Sequence, residues 1–302
     1  MWLTRKSMPF STQRALRMAI NGDLGRPNDG LERRSMRSGE HARRLAATSI
    51  RSFSSSELRT EAKRLIEAAT LVFARDRVSL HHVQELGPFD HVHLAPDFTN
   101  IVQGEPSCRR QPSAILCLRR PQHPHVGSRS GQDRGAYIGF LTKALRQAGQ
   151  LGLEPVFLFH DEANDKKVAD LVEAQLGRSV PRILESRPER LKGNHGRATV
   201  VIGSRFHALV GALSQAVPCI VTGWSHKYEM LLEDYGCPEF LVMPSGPTEE
   251  LTHLLDLVMT AASRRSVTDT LQKHGDKLKQ QVEEMFAMTS EAIGLAQVNA
   301  DI

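Results

Sequence analysis

RATVVIGSRFHALVGALSQAVPCIVTGWSHKYE, residues 197–229, decides the fold. Two apolar runs of strand length, ATVVI (198–202) and PCIVT (218–222), alternate with helical patterns over Arg205–Gln215 and 226–235. Strands separated by helices imply parallel βαβ units. In such sheets ligands bind outside the carboxyl ends of the strands, where each strand turns into the next helix. The chemistry is therefore sought at Gly203 and Gly223, where these two strands end.

At the first exit, the order is Ile202-Gly203-Ser204-Arg205-Phe206-His207. Glycine lets backbone approach a ligand, and Ser204 is expected to cap the helix, leaving Arg205, Phe206 and His207 in its first turn. The N–H groups of that turn and the helix dipole favour an anion, and Arg205 adds a permanent charge. Phe206, Leu209, Val210 and Leu213 form an i, i+3, i+4, i+7 buried stripe. His207 falls to one side of it, over Gly211, where it is expected to be uncovered. A lone histidine more often caps or packs; beside an arginine at a strand-to-helix turn, His207 is read as functional. The second exit, Gly223-Trp224-Ser225-His226-Lys227-Tyr228-Glu229, repeats the design, with Ser225 as the expected cap. Two cationic helix starts on consecutive strands would converge on one anionic ligand. The alternative is that Lys227 is merely solvated and Glu229 only favours the dipole.

The alternation extends upstream. A strand AILCL ends at Leu118, followed by a helix over 133–150, a strand PVFLF at 155–159, a helix over 161–176 and a short strand Arg182–Leu184. Downstream, a last strand near Phe240–Val242 precedes helices over 248–262 and 267–295. Nearer the start, helix Glu57–Ala69, strand Thr70–Ala74, helix Asp76–Leu86 and strand His91–Leu94 make half of a wound sheet. The polar, proline-bearing stretch around 100–113 reads as a linker. The expected organisation is a basic, disordered arm (1–46), a partial N-terminal Rossmann-like domain (47–104), a linker (105–113) and a C-terminal Rossmann-like domain that binds the donor (114–302). The fold class is α/β with two Rossmann-like domains, the N-terminal one incomplete. Arg119 and Arg120 follow one strand exit. Arg75 follows another and is expected to face a cleft between the domains, while Asp76 suits a cap.

Charge and composition narrow the function. The 302 residues carry a net charge of +5, but residues 1–60 hold 12 Lys or Arg against 5 Asp or Glu, and the rest 27 against 29. The basicity belongs to one terminal stretch, which favours a solvated or disordered basic arm over a nucleic-acid-binding surface, so no nucleic-acid partner is expected. Aromatic residues at 5% also argue against a base-stacking platform. No apolar run reaches the roughly 18 residues of a membrane span, and Met1–Phe10 lacks the apolar core of a secretory signal. Cys108, Cys117, Cys219 and Cys237 show no ligand-like spacing, so free thiols in a reducing compartment are expected, with no disulfide and no metal. His123-Pro124-His125 has no acid or thiol beside it to complete a metal site.

The chain resembles the polysaccharide pyruvyl transferase family in FARDRVSLHHVQELG (73–87), HLAPDF (93–98), ILCLRR (115–120) and, most specifically, IGSRFHALVGALSQAVPCIVTGWSHKYEMLLEDYG (202–236). The resemblance covers roughly 47–290. It implies two domains arranged like GT-B glycosyltransferases, the second binding the donor. The implied reaction moves the enolpyruvyl unit of phosphoenolpyruvate onto a sugar as a pyruvate ketal and releases phosphate. Phosphoenolpyruvate is a co-substrate, and no cofactor is implied. Arg205, Phe206 and His207 would form an RxH donor motif with His207 as the general acid, and Arg119 would be a further donor ligand. A helix N-terminus lowers a histidine pKa and a bound dianion raises it, so His207 is expected to become an effective acid with donor bound. Arg75, Ser204, Ser225, His226, Lys227 and Glu229 are the expected cleft or acceptor contacts.

The expected acceptor is a sugar or lipid-linked oligosaccharide of an exopolysaccharide precursor, handled in the cytoplasm or peripherally at the inner membrane face. Family members open with a strand and an Asn-Gly-Asp-type turn. Here Asn21-Gly22-Asp23 follows no strand, and the first half of the N-terminal domain is expected to be missing or replaced. The competing expectations are a catalytically inactive remnant and a GT-B-like glycosyltransferase using a nucleotide sugar.

Overall fold

A computed structural model describes residues 43–48, 53, 55–105, 113–117, 130–223 and 225–292; for 43–48, 117 and 130–134 it describes the backbone alone. The chain divides into two compact units, one reaching Phe98 and taking up the chain again from Gln281, the other Thr99–Gln280.

The first unit holds β1 (Arg43–Thr48), α1 (Ser56–Glu67), β2 (Ala69–Ala74), α2 (Arg77–Gln84) and β3 (Val92–Leu94). Its three strands are parallel, in the order β1-β2-β3, with Val72 paired to Val92 and Thr48 to Ala74. Strand β1 is an addition to the sequence reading, which found only two strands here. RRLAAT has no alternation to reveal it, and its pairing with β2 is irregular in register. Both helices start where capping chemistry allows: Ser55 Oγ accepts from the Leu58 N–H, and Asp76 Oδ1 from that of Ser79 at 2.7 Å. The core is small, built on Ile66, Ala69, Val72, Val83 and Leu86. Arg75, expected to face a cleft, is ion-paired with Asp97 at 3.1 Å inside this unit.

The second unit holds β4 (Ser113–Cys117), α3 (Ser130–Gln150), β5 (Glu154–Phe159), α4 (Glu162–Leu176), β6 (Arg182–Leu184), α5 (Pro188–Gly196), β7 (Val200–Gly203), α6 (Phe206–Leu213), β8 (Cys219–Val221), α7 (His226–Asp234), α8 (Thr248–Met259) and most of α9 (Ala261–Ala292). The strands are all parallel in the order β6-β5-β4-β7-β8. The chain winds outward from β4 through β5 to β6, then returns to β7 and winds the other way. The carboxyl ends of β4 and β7, where Cys117 pairs with Gly203, form the topological switch point at which doubly wound sheets bind ligands.

Burial follows from the strand sequences. Ile115, Leu116, Phe157, Leu158, Val201, Ile202 and Ile220 are fully inaccessible, as expected for strands covered on both faces. Residues before β4 are fastened to this unit: Lys192 Nζ donates to the Thr99 carbonyl at 2.7 Å, and the Glu105 N–H to that of Glu189 at 2.9 Å. Most of the expected linker, like the arm up to Ala42, lies outside the described residues.

Three expectations are corrected. The strand near Phe240–Val242 is a 3-10 turn over Pro238–Phe240 with one bridge, Val221 to Leu241, because Pro238 presets a turn and donates no ladder hydrogen bond. Helix α5 was not expected; it opens on Pro188, a good first helical residue, but its polar sequence hides the period. Helix α9 begins six residues earlier than the periodicity suggested.

Candidate active site at the sheet switch

Gly203 ends β7 with φ +150°, a backbone state that favours glycine, and the chain turns there into α6. The expected cap is displaced by one residue. Arg205, not Ser204, occupies the N-cap, and its carbonyl accepts the Ala208 and Leu209 N–H groups. Ser204 is 1% exposed and fixed from two sides: its Oγ lies 3.0 Å from the Tyr137 hydroxyl, and its carbonyl accepts from the Tyr228 hydroxyl at 2.6 Å. With its hydroxyl committed to Tyr137, Ser204 frames the turn rather than capping it.

Helix α6 is more deeply set than its stripe predicts. Phe206 and Ala208 through Leu213 are all buried, and His207 alone is exposed. His207 is uncovered, as expected from its place beside the stripe, while a Cβ at Gly211 would meet the ring of His195 at 3.0 Å. His207 packs edge-on against Phe206, with 5.9 Å between ring centroids.

The second exit packs against the first. Ser225 is the N-cap of α7, though its side chain makes no capping bond. Lys227 Nζ lies 5.0 Å from the Tyr228 ring centroid and 5.7 Å from that of Phe206, so its ammonium sits against the aromatic of the other exit. His226 is half-buried and Glu229 exposed at the same helix start. Arg119, Trp224 and the His123–His125 pair lie outside the described residues.

A third exit joins these two and was missed in the sequence. After β5 come His160 and Asp161, the cap of α4, and one turn in lies Asp165. The Asp165 carboxylate is fully buried and ion-paired with Arg205. His160 stacks on His195 with centroids 5.4 Å apart and planes 18° from parallel. Burial, reinforced by His195 and Arg205, pushes the His160 pKa down to about 2 against the opposing pull of the Leu158 carbonyl. Burial and then Lys192 hold His195 down to about 3. Both imidazoles are therefore neutral near pH 7. Burial raises the Asp165 pKa, opposed by the Asp161 N–H, the Arg205 charge and the His160 N–H. The rule that ligands gather at strand ends points to His160, the first residue past PVFLF, but nothing in its neighbours marks it.

Among the described residues no cluster of three or more histidine, cysteine or acidic side chains could hold a metal ion. No described helix is long and apolar enough to cross a membrane. Cys219 and Cys237 are buried free thiols, and burial pushes the Cys237 thiol up to about 12.

Solved structures share the α/β, GT-B-like fold. They include a putative UDP-N-acetylglucosamine 2-epimerase from Listeria monocytogenes (TM-score 0.52, 12% identity, 79% of this chain and 63% of that one). An α,α-trehalose 6-phosphate synthase from Burkholderia multivorans follows at 0.51 (9% identity, 83% and 66%). HepE from Anabaena with UDP and glucose matches at 0.50 (14% identity, 78% and 68%). The chain thus spans about two thirds of the length of these structures, and at such identities the likeness concerns the fold alone. No curated protein is significantly similar in sequence. The family model described as polysaccharide pyruvyl transferase matches residues 46–226, which run from β1 through both strand exits to the start of α7. The chain belongs to the polysaccharide pyruvyl transferase family.

Proposed function

We propose that the protein transfers the enolpyruvyl unit of phosphoenolpyruvate to a sugar, forming a pyruvate ketal and releasing phosphate. The observation that carries this reading is the exposure of His207 beside Arg205 on a helix otherwise buried, at the switch of the sheet. Phosphoenolpyruvate presents a carboxylate and a phosphate, and a helix N-terminus flanked by Arg205 and Lys227 suits both.

In this reading His207, as imidazolium, gives its proton to the methylene carbon of the donor, which becomes a methyl group. The adjacent carbon gains oxocarbenium character. One sugar hydroxyl bonds to it and returns a proton to the now neutral His207. A second hydroxyl then bonds to the same carbon as the carbon–oxygen bond to phosphate breaks, and its proton leaves with the phosphate. One donor and one diol give one cyclic ketal and one phosphate. Arg205 and Phe206 hold the donor, with Arg119 as a further ligand on the family motif. His226, Lys227, Ser225 and Glu229 line the approach of a sugar or lipid-linked acceptor.

The test is phosphate release from phosphoenolpyruvate with pooled sugar acceptors, followed by detection of the ketal methyl group. Donor binding without phosphate release on any acceptor would leave a binding remnant. Sugar transfer from a nucleotide sugar in place of pyruvyl transfer would replace the reading altogether.

A further inference from the structure

Asp165 is in an expensive position. Its side chain is inaccessible to water, and its Oδ2 accepts two backbone N–H groups, from His160 at 2.8 Å and Asp161 at 2.9 Å. Its Oδ1 accepts from the Arg205 guanidinium. The helix does not need it as a cap, because Asp161 already accepts the Asn164 N–H and side-chain amide. An apolar residue would avoid the desolvation cost of a buried ion pair but would strand the His160 and Asp161 N–H groups, so the carboxylate also secures the turn after β5. What the carboxylate does achieve is a tie between two strand exits. It grips the turn after β5 with one oxygen and the arginine after β7 with the other. Those strands are the two neighbours of β4, so the tie joins both sides of the switch point.

We propose that Asp165 is a positioning residue for the donor: it acts through Arg205, holding the guanidinium in the orientation that the donor anion meets. This rests on the reading of Arg205 as a phosphoenolpyruvate ligand. Arginine loses much rotamer freedom when it is fixed, and fixing it before the donor arrives removes that loss from the binding step. The guanidinium has five donors in a rigid fork, so one end can be anchored while the other faces the ligand.

The sign of one substitution separates this role from simple electrostatics. Asp165→Asn deletes a negative charge near an anionic donor. If charge alone mattered, phosphoenolpyruvate would bind more tightly; positioning requires it to bind more weakly. Titration calorimetry on the full chain, wild type and Asp165→Asn, each with Arg205 and with Arg205→Ala, gives a complete cycle. The expected result is a loss of at least about tenfold in affinity with Arg205 present and less than about twofold with Arg205→Ala, the mark of two residues acting as a unit. Thermal midpoints of all four proteins check that the fold is intact. Equal or tighter binding by Asp165→Asn overturns the proposal, and so does the same loss in both backgrounds. If Arg205→Ala itself binds as wild type does, the donor reading of Arg205 fails instead. Should Asp165→Asn not fold, Asp165→Glu, which keeps the charge and displaces it by one methylene, carries the same cycle. If neither folds, the residue is structural and the proposal falls.

Discussion

The exits of β7 and β8 carry nearly the same string, glycine, then serine, then cation and histidine, yet they are built differently. Gly203 is required by its backbone angle, whereas Gly223 is required by space: a Cβ there would run into the Tyr228 ring. Ser204 is buried under two tyrosine hydroxyls, while Ser225 sits at a helix N-cap. Arg205 is anchored to a buried carboxylate; Lys227 rests on aromatic faces. The β8 exit braces the β7 exit, through Tyr228 on the Ser204 carbonyl and Lys227 on Phe206. On the proposed function, similar local sequences thus divide into a working turn and a second turn that also acts as its buttress. The division is set by what the neighbouring elements supply.

The sharpest way to break this division is to exchange the roles of the two histidines. His207→Gln is expected to lower turnover by about 10²-fold or more while leaving the fold intact, and His226→Gln by no more than about tenfold. Phosphate release under saturating donor measures both, and a reversed order would make the β8 exit the working turn.

Next in size is the pair of glycines. Gly223→Ala forces a methyl group into the Tyr228 ring and is expected to cost about 1–3 kcal/mol of stability by overpacking. The damage should reach the β7 exit, because Tyr228 holds the Ser204 carbonyl. Urea unfolding gives the first quantity and donor affinity the second; a destabilised variant with unchanged affinity would mean that the buttress carries no functional load.

Acid probes the ground beneath the β7 exit. His160 and His195 have folded pKa values depressed to about 2 and about 3, so the unfolded chain binds more protons than the folded one once pH drops below about 6.5. Their contribution is fully present above that value and is lost as pH falls toward the folded pKa values, by up to about 1.4 kcal/mol per pH unit for each histidine. Urea unfolding between pH 7.5 and 5 in wild type and His160→Asn should show a shallower pH slope in the variant. Identical slopes would mean that His160 is not buried neutral. The smallest expected effect is that of Lys227→Met, which removes the ammonium from two rings at a cost of about 0.5–1 kcal/mol. Thermal unfolding at low and high salt would detect it.

The parallel sheet was legible because β4, β5, β7 and β8 are uninterrupted apolar runs bounded by helical patterns, a signal that needs no knowledge of neighbours. The β7 exit was legible for the same reason, since glycine and a basic residue after such a run have few other uses. Asp165 was not legible. An acid in the first turn of a helix is ordinary dipole chemistry, and only the approach of β7 two strands away gives it Arg205 as a partner. Ser204 was misread because serine before a helix usually caps it, and nothing nearby in sequence announces Tyr137 or Tyr228. Helix α5 was hidden because Lys192 and His195 are buried there, so polarity and exposure part company.

The burial of α6 bears on how variants of this protein should be interpreted. Seven of its eight residues are committed to the interior, and only His207 reaches the surface. Substitutions along the helix are therefore expected to act first on how much protein accumulates and, on the role proposed for His207, changes at residue 207 on how fast each molecule works. A lysate screen that reads total activity would blend the two and credit the whole helix with chemistry. Dividing each rate by the amount of folded protein should collapse the apparent hot stretch onto a single position.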